Sequence, residues 1–373
     1  MIGLEKISKK IRFMEESKNM SDISTGYMLF SKEQNKYAPI NKSKVSKGQF
    51  NTISSNWLKS QVIEFIKKSK KDSCLDPFAG SGDILNAIKS NLQLIVHGLD
   101  IDTKFGWELN DSLKSIPEKY SNSVIVTNPP YLAKYSASRK RLSNDIQNYY
   151  SNWNDLYLQA LDVCLEQNEY VVAIVPETFL NTNYPKNHCQ SITIILQNPF
   201  IDTDCPVCVV CMTKETRSLQ EIDVFIEDKY ISSFYDLCLN KIEPQGVLTV
   251  NFNDPNGSIG LRAVDLTGAD DKIKFLPSDS LDYDRNNIKV SSRLITFISI
   301  EELPEKHIEP LIIEANQILS YWRKSTNDIL MSPFKGNSKD GSRRRRLDYR
   351  TARGILEMAY LKINKQPIQS TLL

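Results

Sequence analysis

An apolar run that ends in two prolines constrains this 373-residue chain more than any other feature. Residues 123–127 (Ser-Val-Ile-Val-Thr) are typical of a buried parallel strand, and Asn128-Pro129-Pro130-Tyr131 follows directly. Neither proline has an N–H group and each fixes φ, so the strand must stop there. The sequence therefore predicts an amide, a rigid carbonyl and an aromatic ring at the carboxyl end of a strand, where open α/β sheets bind ligands.

These groups are suited to holding a planar amino group, which is a poor nucleophile because its lone pair is delocalised. The Asn128 side-chain oxygen and the Pro129 carbonyl would grip its hydrogens and localise the lone pair, while Tyr131 would stack on the attached ring. The catalytic contribution would be orientation and electrostatics, worth about 7–11 kcal/mol when positioning is good. Taken alone, the four residues are equally consistent with a simple loop.

A strand, a glycine turn and a helix precede this segment. Residues 73–83 (Ser-Cys-Leu-Asp-Pro-Phe-Ala-Gly-Ser-Gly-Asp) lead into apolar positions at helical spacing, the typical opening of a nucleotide-binding βαβ unit. Gly80 and Gly82 let the backbone approach a ligand closely. The phosphate-binding G-K-[ST] ending and the G-x-G-x-x-G fingerprint are both missing. Asp76 would repel a pyrophosphate and attract an ammonium or sulfonium group, which favours S-adenosylmethionine over NAD.

Further polar residues follow at positions where a nucleoside cofactor would need them. Asp100 ends the second strand, about 20 residues past the turn, where a carboxylate accepts hydrogen bonds from ribose hydroxyls. Asp102 is predicted to cap the next turn. Asp111 could accept a hydrogen bond from the cofactor's adenine or cap a helix. Thr52 ends a Gly-containing loop before a helix and could bind a ligand carboxylate.

Composition and charge narrow the class of protein. No apolar run reaches the ~18 residues of a membrane span, and no signal-peptide core is present, so a cytoplasmic protein without a membrane partner is expected. The net charge is only +2, yet residues 335–353 carry eight cations and two acids. This basic block indicates a polyanionic partner or a solvated surface.

The seven cysteines indicate reduced thiols rather than disulfides. Cys205, Cys208 and Cys211 have a spacing that resembles part of a metal site, but they lie on an apolar strand. They are predicted to be core thiols, and no metal site is expected.

Alternating strands and helices predict an α/β doubly wound sheet. We expect a polar segment over residues 1–45, a catalytic domain over 46–220 and a recognition domain over 221–373, with helices near 310–324 and 351–361. A basic, aromatic insertion over 134–150 follows Tyr131 and is expected to be functional.

The motifs G-Q-F-N-T (48–52), D-P-F-A-G-S-G (76–82), G-L-D-I-D (98–102), N-D (110–111) and N-P-P-Y (128–131) occur in this order. The set resembles the S-adenosylmethionine-dependent DNA adenine-N6 methyltransferases of restriction-modification systems, over about residues 45–213. The resemblance implies a Rossmann-like doubly wound methyltransferase sheet and a C-terminal mixed α+β target-recognition domain. It also implies a monomeric protein of the bacterial cytoplasm, encoded by a bacterium or a phage. Its substrate would be double-stranded DNA, and a cognate restriction endonuclease is a possible partner.

The resemblance also assigns roles to residues. The cofactor-binding set is Thr52, Asp76, Pro77, Ala79, Gly80, Gly82, Asp100, Asp111 and Asn128. The catalytic set is Asn128, Pro129, Pro130, Tyr131 and Phe200, the last packing on the second face of the target base. Relatives often carry Thr-Pro where this chain has Thr52-Ile53. DNA contacts are expected from Lys134, Arg139, Lys140, Arg141, Arg343, Arg344, Arg345 and Arg346.

Enzymes that methylate other amino groups share the N-P-P-Y motif. The target adenine would have to be flipped out of the duplex at a cost of a few kcal/mol. Cytosine N4, an amine of structured RNA and the glutamine amide of a protein remain alternatives, as does a non-catalytic binding protein. The large C-terminal region with its basic block argues against the protein-amide enzymes.

Overall fold

In a computed structural model, the described residues are 52, 55–139, 144–200, 203–268, 272–301, 303–338 and 342–365. The predicted polar segment 1–45, residues 48–51 of the first motif, Lys140 and Arg141 lie outside them. The described residues divide into two compact units, one ending at Leu239 and the other beginning at Asn240.

A nine-stranded sheet organises the first unit. Its strands are β1 (Ser73–Asp76), β2 (Ile95–Asp100), β3 (Glu108–Leu109), β4 (Val124–Thr127), β5 (Tyr170–Pro176), β6 (Cys189–Ile195), β7 (Val207–Thr213), β8 (Asp223–Ile226) and β9 (Lys229–Ser233). The strand order is β3-β2-β1-β4-β5-β7-β6-β8-β9. The first five strands of this order run parallel, and β7 lies antiparallel between β5 and β6. The predicted α/β doubly wound sheet is confirmed.

Helices cover the sheet because their apolar stripes match it. They are α1 (Ser60–Lys68), α2 (Asp83–Leu92), α3 (Lys134–Arg139), α4 (Asn144–Gln147), α5 (Leu156–Gln167) and α6 (Phe234–Leu239). α1 buries Val62 and Ile66, one turn apart, and α2 buries Ile84 and Ile88 in the same way. Together they pack against strand residues such as Val126 in one core.

The carboxyl ends of β1 and β4 lie side by side at the centre of the sheet. Leu75 pairs with Ile125, and the strand order proceeds in opposite directions from this pair. This is the topological switch point at which open α/β sheets bind ligands. The residues that follow the two strands, the glycine turn and Asn128–Tyr131, therefore meet at one crevice.

The first unit extends about 20 residues past the boundary predicted near residue 220. The reason is that β8 pairs in parallel with β6, Ser191 opposite Asp223, and continues into β9 and α6. Val224 is thereby fully buried. The prediction of core thiols is confirmed for Cys208 and Cys211, which are completely buried in β7, whereas Cys205 is half-buried.

The second unit combines an antiparallel sheet with two long helices. The sheet contains β10 (Val250–Phe252), β11 (Ile259–Arg262), β12 (Lys274–Pro277) and β13 (Ile295–Ile300) in the order β10-β13-β11-β12. Helices α7 (Ile308–Ser325) and α8 (Tyr349–Lys365) share its core, and β14 (Ser332–Asn337) pairs with β15 (Arg343–Arg346). Within the described residues no helix has both the length and the apolar content to cross a bilayer.

Candidate active site

The glycine turn after β1 is shaped as the sequence predicts. Gly80 and Gly82 have φ of +50° and +82°, a region that favours glycine. Pro77 and Ala79 are buried beneath the turn, and the Ala79 N–H donates to the Leu99 carbonyl at 2.9 Å. A Cβ built on Gly80 would have no atom of the described residues within 4 Å. Open space therefore lies directly above Gly80.

Asp100 reaches back from β2 to fix this turn. Its Oδ2 accepts a hydrogen bond from the Gly80 N–H at 2.8 Å, and its Oδ1 accepts one from the Asp102 N–H at 2.7 Å. The predicted capping role of Asp102 is confirmed, because its carboxylate accepts a hydrogen bond from the Lys104 N–H at the start of a short 3₁₀ helix. The acid predicted at the end of the second strand thus lies against the glycine turn.

Trp107 completes the turn and was missed by the sequence analysis. Its indole N–H donates to the Gly80 carbonyl at 2.8 Å. A Cβ added to Gly82 or Gly98 would lie 2.8 Å or 2.6 Å from the indole ring, so both positions must be glycine for the ring to fit. The one local signal was Gly98, since a glycine inside a strand often marks close approach of another group.

Asp76 is a buried carboxylate at the end of β1. It is 1% exposed, and its Oδ1 accepts hydrogen bonds from the Thr127 hydroxyl at 2.6 Å and the Phe78 N–H at 3.0 Å. Within the described residues nothing donates to Oδ2. Burial raises the pKa of this carboxyl to about 7, against the two hydrogen bonds that lower it. A cation placed beside it would restore the charged form.

The Asn128 amide lies in a short hydrogen-bonded chain. Its Oδ1 accepts from the Tyr131 hydroxyl at 2.6 Å, and its Nδ2 donates to the Thr52 hydroxyl at 3.4 Å. The Ile174 carbonyl lies 2.7 Å from the same Tyr131 oxygen. Pro129 is buried and Pro130 half-buried, and no described residue donates to the Pro129 carbonyl. The amide is thus oriented with its oxygen on the tyrosine side.

The two predicted aromatic residues are in direct contact. The Tyr131 and Phe200 ring centroids are 6.2 Å apart at 71°, an edge-to-face arrangement, and Tyr157 packs on Tyr131 in a similar way. Phe200 is 5% exposed and forms a backbone bridge with Thr52. The structure brings the predicted residues together, but a base could enter between the rings only if they part.

Asp111 is held by the insertion that follows the motif. Its Oδ2 accepts from the Tyr149 hydroxyl at 2.5 Å and lies 3.0 Å from the Lys114 ammonium. Around it, Leu132, Ala137 and Tyr150 form a small apolar cluster of their own. The described parts of the insertion are therefore packed at this edge, and Tyr149 is a second residue that the sequence analysis missed.

The sequence profile of the Eco57I restriction-modification methylase family matches residues 7–202, more than half of the chain. The chain belongs to this family. It is therefore a methyltransferase of the restriction-modification type. No curated protein is a significant sequence match.

Two solved structures are similar to this methylase at low scores. One is the methyltransferase subunit of a type I restriction-modification system from Streptococcus thermophilus, with 18% identity and a TM-score of 0.35 over 52% of this chain and 53% of that one. The other is TrmN from Thermus thermophilus, with 17% identity and a TM-score of 0.26 over 41% and 48%. The aligned regions span about half of each structure, and TM-scores this low indicate only a weak structural similarity.

The predicted DNA-contact residues of the methylase fall into different environments. Lys134 and Arg139 are exposed on α3. The four arginines form β15, where Arg345 is only 2% exposed and its N–H donates to Asp265. A buried arginine cannot reach a phosphate, so the expectation for Arg345 is corrected. The physical reason is the two-residue period of a strand, which turns alternate side chains inward.

Two more of these arginines have partners within the methylase. The Arg344 Nε donates to the Asp265 carbonyl at 2.8 Å, and its guanidinium lies over the Phe334 ring. The Arg343 guanidinium donates to the Asn337 side chain at 3.3 Å. The basic block is thus largely part of the second unit's structure.

Proposed function

We propose that this methylase transfers a methyl group from S-adenosylmethionine to the N6 amino group of an adenine flipped out of double-stranded DNA. The observation that carries the proposal is the meeting of two elements at the switch point between β1 and β4. The Asp76–Gly82 turn offers a nucleoside cofactor site, and Asn128–Tyr131 offers amino-group acceptors beside it. The first unit would be the catalytic domain and the second the target-recognition domain.

The residues at the turn fit the proposed cofactor. The space above Gly80 would admit its methionine part, and the buried Asp76 carboxylate would pair with its ammonium group. Asp100 would accept hydrogen bonds from the ribose hydroxyls, and the Thr52 hydroxyl would donate to the carboxylate. When bound, the cofactor supplies an electrophilic methyl group on a sulfonium.

The target amine would be held by two acceptors at the end of β4. The Pro129 carbonyl accepts no hydrogen bond from a described residue, and Asn128 Oδ1 becomes available when the Tyr131 hydroxyl donates to Ile174 instead. These acceptors would hold the amine nitrogen against the methyl group that the bound cofactor would supply, and one amine proton would leave to solvent after transfer. The residues contribute orientation and electrostatics, so no general base is required.

Entry of the base requires the Tyr131 and Phe200 rings to part and stack on its faces. Extrusion from the duplex costs a few kcal/mol, which stacking and hydrogen bonding must offset. Double-stranded DNA would be the partner of a monomeric protein in a bacterial cytoplasm, with a cognate endonuclease as a possible companion enzyme.

The variant Asn128→Ala tests the proposal. We expect methyl transfer to DNA to fall by about 10²–10³-fold, since a preorganised acceptor is lost. Binding of S-adenosylhomocysteine, measured by calorimetry, should remain close to wild type. Asn91→Ala is a matched control, because Asn91 is exposed on α2 and bonds only its own helix. Full activity in Asn128→Ala would refute the assigned role.

A further inference from the structure

A cavity of about 470 Å³ lies within the second unit, and Arg346 is the one lining residue that was assigned a role above. Phe252 and Tyr349 form an aromatic stack in its wall, with ring centroids 4.4 Å apart and planes within 5°. The Arg293 guanidinium lies over the Tyr349 ring at 5.6 Å. The cavity is therefore lined by flat, rigid groups and cationic ones.

The turn over residues 289–293 forms one rim of the cavity and is held firmly. The Ser292 carbonyl accepts from the Tyr349 hydroxyl at 2.7 Å and from Arg293 at 2.8 Å. The Val290 carbonyl accepts from the Asn253 amide at 3.0 Å and from Arg293 at 3.1 Å. These four hydrogen bonds hold the backbone of the turn in place.

Val290 lies at the tip of this fixed turn with its side chain 92% exposed. An apolar side chain held that far into solvent is not explained by packing within the unit. Lys289 is exposed beside it. A rigid apolar tip beside a cation is suited to a polyanion that also offers apolar surface, which the major groove of DNA does through thymine methyl groups.

Arg346 differs from the other arginines of β15. Within the described residues its guanidinium has no hydrogen bond and no ion pair, and the side chain is half-buried in the cavity wall. The one acid in the lining is Asp348, whose carboxylate is occupied by the N–H and hydroxyl of Thr351 at the start of α8. With Arg293, the lining therefore carries two cations and one acid.

We propose that this cavity and turn form a DNA-contact surface, in which Arg346 binds a backbone phosphate and Val290 contacts the edges of bases in the major groove. The inference rests on the proposed function and adds where the second unit meets the duplex. A guanidinium that has no partner among the described residues can bind a phosphate through two N–H groups. The phosphate contact supplies affinity, and the valine contact supplies sequence preference.

The test compares three variants of the full chain. Arg346→Gln removes the phosphate contact, Val290→Ala removes the apolar contact, and Lys274→Gln is the control. Lys274 is exposed on β12, at the opposite edge of the sheet from β10, which carries Phe252. Binding of a random-sequence duplex is measured by fluorescence anisotropy at several salt concentrations, and methylated sites are mapped in DNA from cells expressing each variant.

We expect Arg346→Gln to reduce the slope of log affinity against log salt by about one, while Lys274→Gln keeps the wild-type slope. Val290→Ala should keep affinity for random DNA and broaden the set of methylated sequences. Slopes and site patterns equal to those of the control would overturn the inference. A wild-type protein that binds no duplex at all would instead overturn the proposed function.

Discussion

Tyr131 has one hydroxyl proton and two acceptors within reach, Asn128 Oδ1 at 2.6 Å and the Ile174 carbonyl at 2.7 Å. The hydroxyl can donate to only one of them at a time. In the proposed reaction, donation to Asn128 would hold the amide in the orientation that methyl transfer needs until the target amine arrives. When the amine arrives, the proton can turn to Ile174, so no buried acceptor is left unpaired. The ring and the hydroxyl thus have separate tasks.

Tyr131→Phe separates these tasks, because it keeps the ring and removes the hydroxyl. We expect the single-turnover rate to fall about fivefold to tenfold, the worth of one net hydrogen bond, with cofactor binding unchanged. Tyr131→Ala should lower the single-turnover rate considerably more, since stacking on the base is lost as well. A Tyr131→Phe rate equal to that of wild type would show that the hydroxyl does not orient Asn128.

The proposed pairing of Asp76 with the cofactor predicts that cofactor binding depends on pH. Burial raises the pKa of Asp76 to about 7, well above the usual range of an aspartate, so the fold without ligand favours the protonated acid. The stability this contributes is present below about pH 4 and is lost as pH rises to about 7. A bound ammonium group needs the carboxylate, so binding should weaken up to tenfold for each pH unit below about 7. Calorimetric titration with S-adenosylhomocysteine from about pH 5.5 to 7.5 measures this.

Asp76→Asn is the control for this pH dependence. Its affinity should be lower than that of wild type at neutral pH and nearly constant over the same range, because the titrating group is gone. An equally steep pH dependence in Asp76→Asn would assign the titration to a different group.

Strand β15 is held in place by a buried cluster of charged residues around Asp265 and is not an exposed basic strand. Asp265 is 1% exposed and accepts two hydrogen bonds from Arg323 at 2.9 Å, one from the Ile273 N–H and one from the Arg345 N–H. Burial alone would raise the pKa of Asp265, but the hydrogen bonds and charge of Arg323 lower it overall. Arg323 also pairs with Asp328.

Asp265→Asn should therefore destabilise the second unit by about 3–5 kcal/mol, since it removes one of the two carboxylates that pair with the half-buried Arg323. Urea unfolding followed by the fluorescence of the buried Trp322 would measure the change. Asp279→Asn is the matched control: Asp279 pairs with Arg285 but is 95% exposed, so its loss should cost at most about 1 kcal/mol. Equal effects of the two substitutions would contradict the account.

The lowered pKa of Asp265 gives a second signature. A depressed carboxyl pKa contributes stability that is present above the unfolded value and lost as pH falls through the folded value. The difference in stability between wild type and Asp265→Asn should accordingly shrink on acidification below about pH 4.

The elements that the sequence predicted are those with local signals. The strand predicted over residues 123–127 was visible as an apolar run, and the observed β4 agrees with it to within one residue. The bounds of β8, β9 and β15 were not predicted, because these strands are short and their strand character comes from pairing with a neighbour. The second unit begins about 20 residues later than predicted because β8 and β9 extend the sheet of the first unit.

The same distinction applies to the candidate site. Asp76, Asp100 and Asn128 could be placed because each follows a strand that the sequence marks clearly. The contact of Trp107 with Gly98 and the hydrogen bond from Tyr149 to Asp111 join different loops, and neither has a local pattern. The edge-to-face contact of Tyr131 and Phe200 was equally out of reach, since it depends on the packing of β4 against distant segments.

The described part of the protein consists of two compact units that carry different candidate sites. In the first, which carries most of the match to the methylase family, the glycine turn and residues 128–131 meet at one crevice. The second presents aromatic and cationic groups around a cavity. The proposed methyl transfer to an adenine in DNA would use both.

The most direct measurement is the identity of the methylated product. Purified protein is incubated with methyl-labelled S-adenosylmethionine and, separately, with duplex DNA, structured RNA and a protein extract, and each substrate is digested and analysed by mass spectrometry. The account predicts N6-methyladenine in the duplex and no label in the RNA or protein. Label that appears only as N4-methylcytosine, or only in the RNA or protein, would contradict it.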